Sequence, residues 1–210
     1  MEQESKKTGT TTIGLTYKDG VVLASERKAT LGHMVDSKQA QKIYELTDNI
    51  GITTAGSVGD IQSVVRYMKA EANIFKFQKG KKITVKGLTT LLANILQGNK
   101  MFPYLGQFII GGYDKRGGQV FSLDPLGGVE KGDNFYSTGS GSPMAIGVLE
   151  DRYEEEMKEE DAVDLALSAI KSATNRDVYS GEGFAVAVID DSGFRELEDE
   201  EIDEYFEKKK

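Results

Sequence analysis

Asp19-Gly20 separates two runs built almost wholly from β-branched and apolar residues, TTTIGLTYK (10–18) and VVLASE (21–26). An Asp-Gly pair between such runs is the strongest short-range signal of a β-hairpin, so the fold starts from an antiparallel ribbon. A second hairpin follows: KIYEL (42–46), a turn at Thr47-Asp48-Asn49, and IGITTAG (50–56). Beyond it the period changes. Val58, Ile61, Val64, Val65, Met68, Ala72 and Phe75 recur at the three-to-four spacing of an amphipathic helix, with Ser57 and Asp60 placed to cap it. A second helix is expected over 84–100, with Leu88, Leu91, Leu92, Ile95 and Leu96 inward and Pro103 after its end. Strands return at 106–113, 118–124 and 134–139, helices at 142–157 and 160–175, then strands at 183–190 and 194–198 and an acidic terminal helix. Strands gathered in blocks argue for an α+β fold over a doubly wound parallel sheet. Two antiparallel sheets packed face to face, with a helix pair on each outer face, would bury every apolar stripe. The expectation is a four-layer αββα sandwich.

The chain has 210 residues, one generous domain by length, and about 70% of the surface of an unfolded chain of that size can be buried. It contains no cysteine, which excludes disulfide scaffolds, thiolate nucleophiles and cysteine-held metal sites. It contains one histidine, His33, so no site with two histidines can be built within one chain, and an imidazole-dependent hydrolase would have to use His33. No metal and no cofactor is implied.

The net charge of −8 is concentrated in two places. Residues 150–161 carry eight acids against Arg152 and Lys158, and residues 190–210 carry ten acids against four bases. The remainder is mildly basic, and neither part has the clustered cations of a nucleic-acid surface. No apolar run reaches the roughly 18–20 residues of a membrane span, and MEQESKKTG lacks the apolar core of a signal peptide, so a cytoplasmic location is expected, with no membrane and no nucleic acid as partner.

There is no GxxxxGK[ST] phosphate loop, and Gly139-Ser140-Gly141-Ser142 runs into Pro143 without the context of a dinucleotide site. Ser168-x-x-Lys171 and Lys7-Thr8-Gly9 occur in the wrong order for a serine acyl-enzyme. GTTTIG (9–14) suits a plain β-strand, because threonine is β-branched. It also suits a nucleophile. A threonine hydroxyl needs a proton acceptor, and with imidazole scarce an α-amine is one of the few groups that titrates near neutrality. Thr10 gains such an amine only if the Gly9-Thr10 bond is cut. Other segments could join it: Glu26 at the end of a strand, Lys42 at the start of another, Ala55-Gly56-Ser57 presenting an N–H where a strand becomes a helix, and Asp177, Ser180 and Gly181 after a helix end.

Together the strings GTTTIG, DGVVLASERKAT, KIYEL, TTAGSVGD, STGSGSP, GVLEDRY and RDVYSGEG, in this order, resemble the catalytic β subunits of the 20S proteasome of archaeal type, among the N-terminal-nucleophile hydrolases. The resemblance covers the chain from Gly9 to the acidic terminal helix. It implies a propeptide of residues 1–9 removed on maturation and a single hydrolase domain over 10–210. It implies a threonine endopeptidase with Thr10 as nucleophile, freed by autocatalytic cleavage after Gly9. Glu26 and Lys42 match the acid–lysine pair beside the nucleophile, Asp177 and Ser180 with Ser140 the groups that orient its amine, and Gly56 the oxyanion N–H. Thr30 matches a cleft-lining position, and Ala29, Ala40, Tyr44, Thr54 and Val58 match the pocket for the residue before the cut, which suggests cleavage after hydrophobic residues. The resemblance further implies seven-membered β rings, α-subunit rings, an ATPase regulator acting through them, and unfolded polypeptide as substrate. A non-catalytic ring subunit of the same fold would lack Thr10, Lys42 or Asp177, and all three are present. A shorter bacterial-type relative would lack the long acidic C-terminal segment. His33 matches no functional position.

Overall fold

The computed structural model describes residues 9–31, 34–131 and 134–207. His33 and residues 1–8 of the expected propeptide lie outside them. The elements run β1 (Thr12–Tyr17), β2 (Gly20–Glu26), β3 (Ala29–Leu31), β4 (Met34–Ser37), β5 (Ile43–Thr47) and β6 (Ile50–Gly56). Then come α1 (Val58–Lys79), α2 (Val85–Gly98), β7 (Gly106–Asp114), β8 (Gly117–Leu123), β9 (Val129–Glu130) and β10 (Phe135–Thr138). The chain closes with α3 (Ser142–Arg152), α4 (Glu159–Thr174), β11 (Phe184–Asp190), β12 (Gly193–Glu196) and α5 (Asp199–Glu207).

Two five-stranded antiparallel sheets result, ordered β10-β1-β2-β11-β12 and β5-β6-β7-β8-β9, with β3 and β4 as a separate hairpin. Three apolar clusters define four layers. One joins α3, α4 and α5 to the outer face of the first sheet, through residues such as Ile13, Leu15, Leu149, Leu165 and Ile202. Another joins α1 and α2 to the second sheet through Ile52, Val64, Met68, Leu88, Leu92 and Phe108. The third lies between the sheets, with Val21, Leu23, Ile109, Val120, Ala187 and Ile189. Alternation along each strand sends successive side chains to different layers, which is how one short strand serves two cores. The expected αββα sandwich is the observed fold.

Three local expectations are corrected. In the first hairpin Tyr17 pairs with Gly20, so Lys18 and Asp19 form the turn and Gly20 opens β2, where a side chain would overlap the Ile189 carbonyl. The helix expected to reach residue 157 ends at Arg152. Tyr153 leaves it because its ring packs on Phe135, with centroids 5.3 Å apart, and its hydroxyl lies 3.1 Å from Thr16 Oγ1. The next turn is held by Lys18 N donating to the Met157 carbonyl at 3.0 Å. Tertiary contacts outweigh helix propensity there. Finally, Ser57 caps α1 by position but makes no side-chain cap bond, while Asp60 accepts from Leu105 N at 3.0 Å and ties the helix start to the residue before β7. Val58, placed inward by the spacing, is 57% exposed.

Candidate active site

Thr10 lies two residues before β1 and is 4% exposed. Its hydroxyl donates to Glu26 Oε1 at the end of the adjacent β2, and Lys42 Nζ, just before β5, donates both to Thr10 Oγ1 and to Glu26 Oε1. Antiparallel pairing of β1 with β2 brings Glu26 beside Thr10, and the packing of the two sheets brings Lys42 from the other layer.

A fully buried carboxylate is costly unless its oxygens are occupied. Glu26 is occupied on both. Oε1 also accepts from Thr11 N at 3.2 Å, and Oε2 accepts from Lys28 N at 2.7 Å and Gly181 N at 3.1 Å. Lys42 donates once more, to the Lys28 carbonyl at 2.6 Å. Burial holds the Lys42 ammonium below the ordinary lysine range, while the charge of Glu26 and its hydrogen bond pull the other way. A lysine so placed is a candidate proton carrier as well as a charge.

The nitrogen of Thr10 faces a second cluster. As an amide it donates to Ser140 Oγ at 3.2 Å. Ser140 Oγ donates to Asp177 Oδ2 at 2.5 Å, and Ser180 Oγ donates to the same oxygen at 2.6 Å. Thr11 Oγ1 lies 2.8 Å from Ser180 Oγ, so the cluster is tied back to the segment that carries Thr10. The Thr10 carbonyl accepts from Gly141 N at 3.3 Å. Thr10 thus has an acid–base pair on its oxygen and a hydroxyl–carboxylate relay on its nitrogen.

Thr10 and Lys42 open onto a cleft of about 960 Å³ whose wall is mainly apolar. Ala29, Thr30, Ala40, Tyr44, Thr54 and Val58 all line it, together with Gly9, Thr10, Lys42 and Gly56. Glu26, Ser140, Asp177 and Ser180 do not line it. Gly56 pairs with Gly106, and the next residue, Ser57, donates to the Leu105 carbonyl at 2.7 Å. Bonded and non-bonded pairs alternate in an antiparallel ladder, so the Gly56 N–H points away from β7, on the cleft side. Its φ of +148° and the closeness of the Leu105 carbonyl leave room for glycine alone.

Sequence reasoning did not single out Thr11 or the Lys28 backbone as partners of the site, nor Gln107, which lines the cleft and accepts from Gly139 N at 3.1 Å. Backbone groups have no residue signature, and Gln107 looks like any exposed strand residue. Among the described residues no helix is long and apolar enough to cross a membrane.

A family model described as "Proteasome subunit" matches residues 6–189. "Proteasome subunit beta" of Methanospirillum hungatei JF-1 is 52% identical over 202 residues, covering 96% of this chain and 97% of the relative. The protein of the same name from Methanocaldococcus vulcanius is 51% identical over 195 residues, covering 92% and 87%. That from Ferroglobus placidus is 49% identical over 200 residues, covering 95% of each. At this identity and coverage, the chain belongs to the proteasome subunit family.

Proposed function

We propose that this chain is a catalytic β subunit of a 20S proteasome core and a threonine endopeptidase. The observation that carries the reading is the setting of one hydroxyl: Thr10 Oγ1 between Lys42 and Glu26, with Ser140 at its nitrogen and the Gly56 N–H on the same cleft.

The chain is made with residues 1–9 attached, and the first reaction is on itself. Thr10 Oγ attacks the Gly9 carbonyl, the C–N bond breaks, and the nitrogen takes up a proton. The resulting ester is hydrolysed by water, which frees residues 1–9 and leaves Thr10 with a hydroxyl and an α-amine. While that nitrogen is an amide it cannot accept a proton, so the Lys42–Glu26 pair is the acceptor in this step. In the mature subunit the amine adds a second acceptor, oriented by Ser140, Asp177 and Ser180. Thr10 Oγ then attacks a substrate carbonyl, the Gly56 N–H holds the oxyanion, the amine-side product leaves, and water hydrolyses the acyl-enzyme.

The pocket residues Ala29, Ala40, Tyr44, Thr54 and Val58 are uncharged, which favours hydrophobic residues before the cut, and the backbone at Thr30 lets an extended peptide pair as a strand. Assembly into seven-membered β rings beneath α rings, fed with unfolded polypeptide by an ATPase in the cytoplasm, supplies the confinement that so permissive a site requires.

The test is co-expression with a proteasome α subunit, intact mass of the assembled particle, and hydrolysis of a fluorogenic peptide with a hydrophobic residue before the cut. Loss of residues 1–9 and no activity in Thr10→Ala are expected. Retention of those residues in an active particle, or full activity of Thr10→Ala, would overturn the reading.

A further inference from the structure

At one end of the mainly apolar layer between the sheets, three buried threonines from three strands meet. Thr12 of β1 faces the second sheet, as Gly14 does two residues on. Its Oγ1 lies 2.8 Å from Thr138 Oγ1, on the neighbouring β10. From the other sheet, Thr53 Oγ1 of β6 donates to Thr12 Oγ1 at 2.9 Å. Thr12 and Thr53 are fully buried and Thr138 nearly so. A hydroxyl in such a layer is tolerated when it is paired, and each of these three is paired with another of the set.

Their positions along the chain give the arrangement a consequence. Thr12 is two residues from the nucleophile, Thr138 two residues before Ser140, and Thr53 three residues before Gly56. Thr10 and Ser140 hang from one sheet, and Gly56 ends a strand of the other. Apolar packing between sheets is non-directional and accepts small slides, whereas a hydrogen bond fixes distance and angle. We infer that the Thr12–Thr53–Thr138 hydroxyl chain is a positioning device that holds the nucleophile strand in register with the strand carrying the oxyanion N–H. This rests on the reading of Thr10 as nucleophile and Gly56 as oxyanion donor. A second polar bridge between the same sheets, from Gly139 N to Gln107 Oε1, lies at the rim of the same end. Thr53 touches neither the reacting atoms nor the cleft. It acts through Thr12.

The experiment compares wild type, Thr10→Ala, Thr53→Val and Thr53→Ser in the assembled particle, with intact mass and with kcat and KM on the same peptide. Valine keeps the shape of threonine and removes the hydroxyl, while serine keeps the hydroxyl. Misplacing a reacting group by a fraction of an ångström lowers the rate of attack more than it weakens substrate binding, so Thr53→Val should lose about tenfold in kcat with KM within about twofold of wild type, and Thr53→Ser should recover to within about twofold. A kcat for Thr53→Val equal to wild type overturns the inference, as does a serine variant no better than valine. Should Thr53→Val fail to assemble, Thr53→Ala against Thr53→Ser carries the comparison, since both lack the γ-methyl and differ only in the hydroxyl; equal kcat values overturn it. An active Thr10→Ala would instead remove the nucleophile assignment itself, so the two failures read differently.

Discussion

Lys42 Nζ and the Glu26 carboxylate are packed against one another beside the Thr10 hydroxyl, the lysine almost buried and the glutamate wholly so. Neither charge belongs in such a place alone. The pair is stable there because Glu26 accepts hydrogen bonds from the backbone N–H groups of Thr11, Lys28 and Gly181, and Lys42 donates one to the Lys28 carbonyl. The balance between the two groups sets when Lys42 can receive a proton.

That balance predicts a pH effect with a definite sign. Burial lowers the pKa of Lys42, and Glu26 opposes the lowering. Glu26→Gln removes the opposing charge, so the Lys42 pKa falls further and its neutral form persists to lower pH. If neutral Lys42 accepts the Thr10 proton, the acidic limb of the self-processing rate, followed by intact mass, moves to lower pH in Glu26→Gln, on top of a general slowing. A limb that stays in place or moves upward contradicts this role for Lys42.

On the proposed reading, two glycines of the cleft separate processing from catalysis. At Gly9 an added Cβ would lie 2.5 Å from Ser140 Oγ and overlap the Tyr179 side chain. Gly9→Ala should therefore slow release of residues 1–9 by at least about tenfold, as misalignment of the attacked carbonyl requires. A chain whose synthesis or processing delivers Thr10 directly should be fully active. At Gly56 the φ of +148° and the Leu105 carbonyl exclude a side chain in every state. Gly56→Ala should lower the thermal midpoint, at a cost of about 1–3 kcal/mol, and should reduce kcat whether or not processing is bypassed. Normal processing in Gly9→Ala, or normal kcat in Gly56→Ala, would count against these roles.

How far these relationships could be read from the chain varies from residue to residue. The strands and helices were legible wherever a period persisted, as in Ile61–Ala72 of α1. The β3–β4 hairpin was not, because Ala29 to Ser37 shows no sustained alternation, and this piece is shaped by the cleft it borders. The end of α3 was hidden because a run of acids continues the helical pattern while Tyr153 is drawn away to Phe135 and Thr16. Thr10, Glu26, Lys42 and Asp177 were legible as a set only through the order of the family strings; singly, each is an ordinary residue at the end of an element. What joins them consists largely of backbone N–H and C=O groups and of Thr11, contacts that the fold creates and composition cannot foreshadow.

Asp177 offers a test of the nitrogen side of the site. One of its oxygens accepts from both Ser140 and Ser180, and Ser140 faces the Thr10 nitrogen. The other oxygen accepts from Tyr179 N at 3.2 Å, so Asp177→Asn, with a single acceptor oxygen, must turn its NH2 either on Tyr179 N–H or on the two hydroxyls, and Ser140 loses its fixed orientation. About a tenfold fall in kcat is expected, with KM within about twofold. The thermal midpoint should change little, because Asp177 and Ser140 are not fully buried. An unchanged kcat in the processed particle would remove the relay from the mechanism.

Ser25 is the counterpart of the threonine chain and predicts the opposite effect of losing a hydroxyl. It lies on β2 between Thr12 and Ala185 in the register, fully buried, and its Oγ has no hydrogen-bond partner. Thr53 and Thr138 each have a partner in Thr12, which has both of them. An unpaired buried hydroxyl costs about 1–3 kcal/mol, and alanine removes that cost while giving up only the packing of one oxygen atom. Ser25→Ala should therefore stabilise the chain by about 1 kcal/mol, a rise of roughly 2–4 °C in the thermal midpoint for a domain of this size. Thr53→Val, which removes a paired hydroxyl from the same layer, should lower the midpoint instead. Scanning both variants beside wild type decides the point: a fall for Ser25→Ala would mean that its hydroxyl finds a partner in solution, and the contrast between paired and unpaired groups in the inter-sheet layer would be lost.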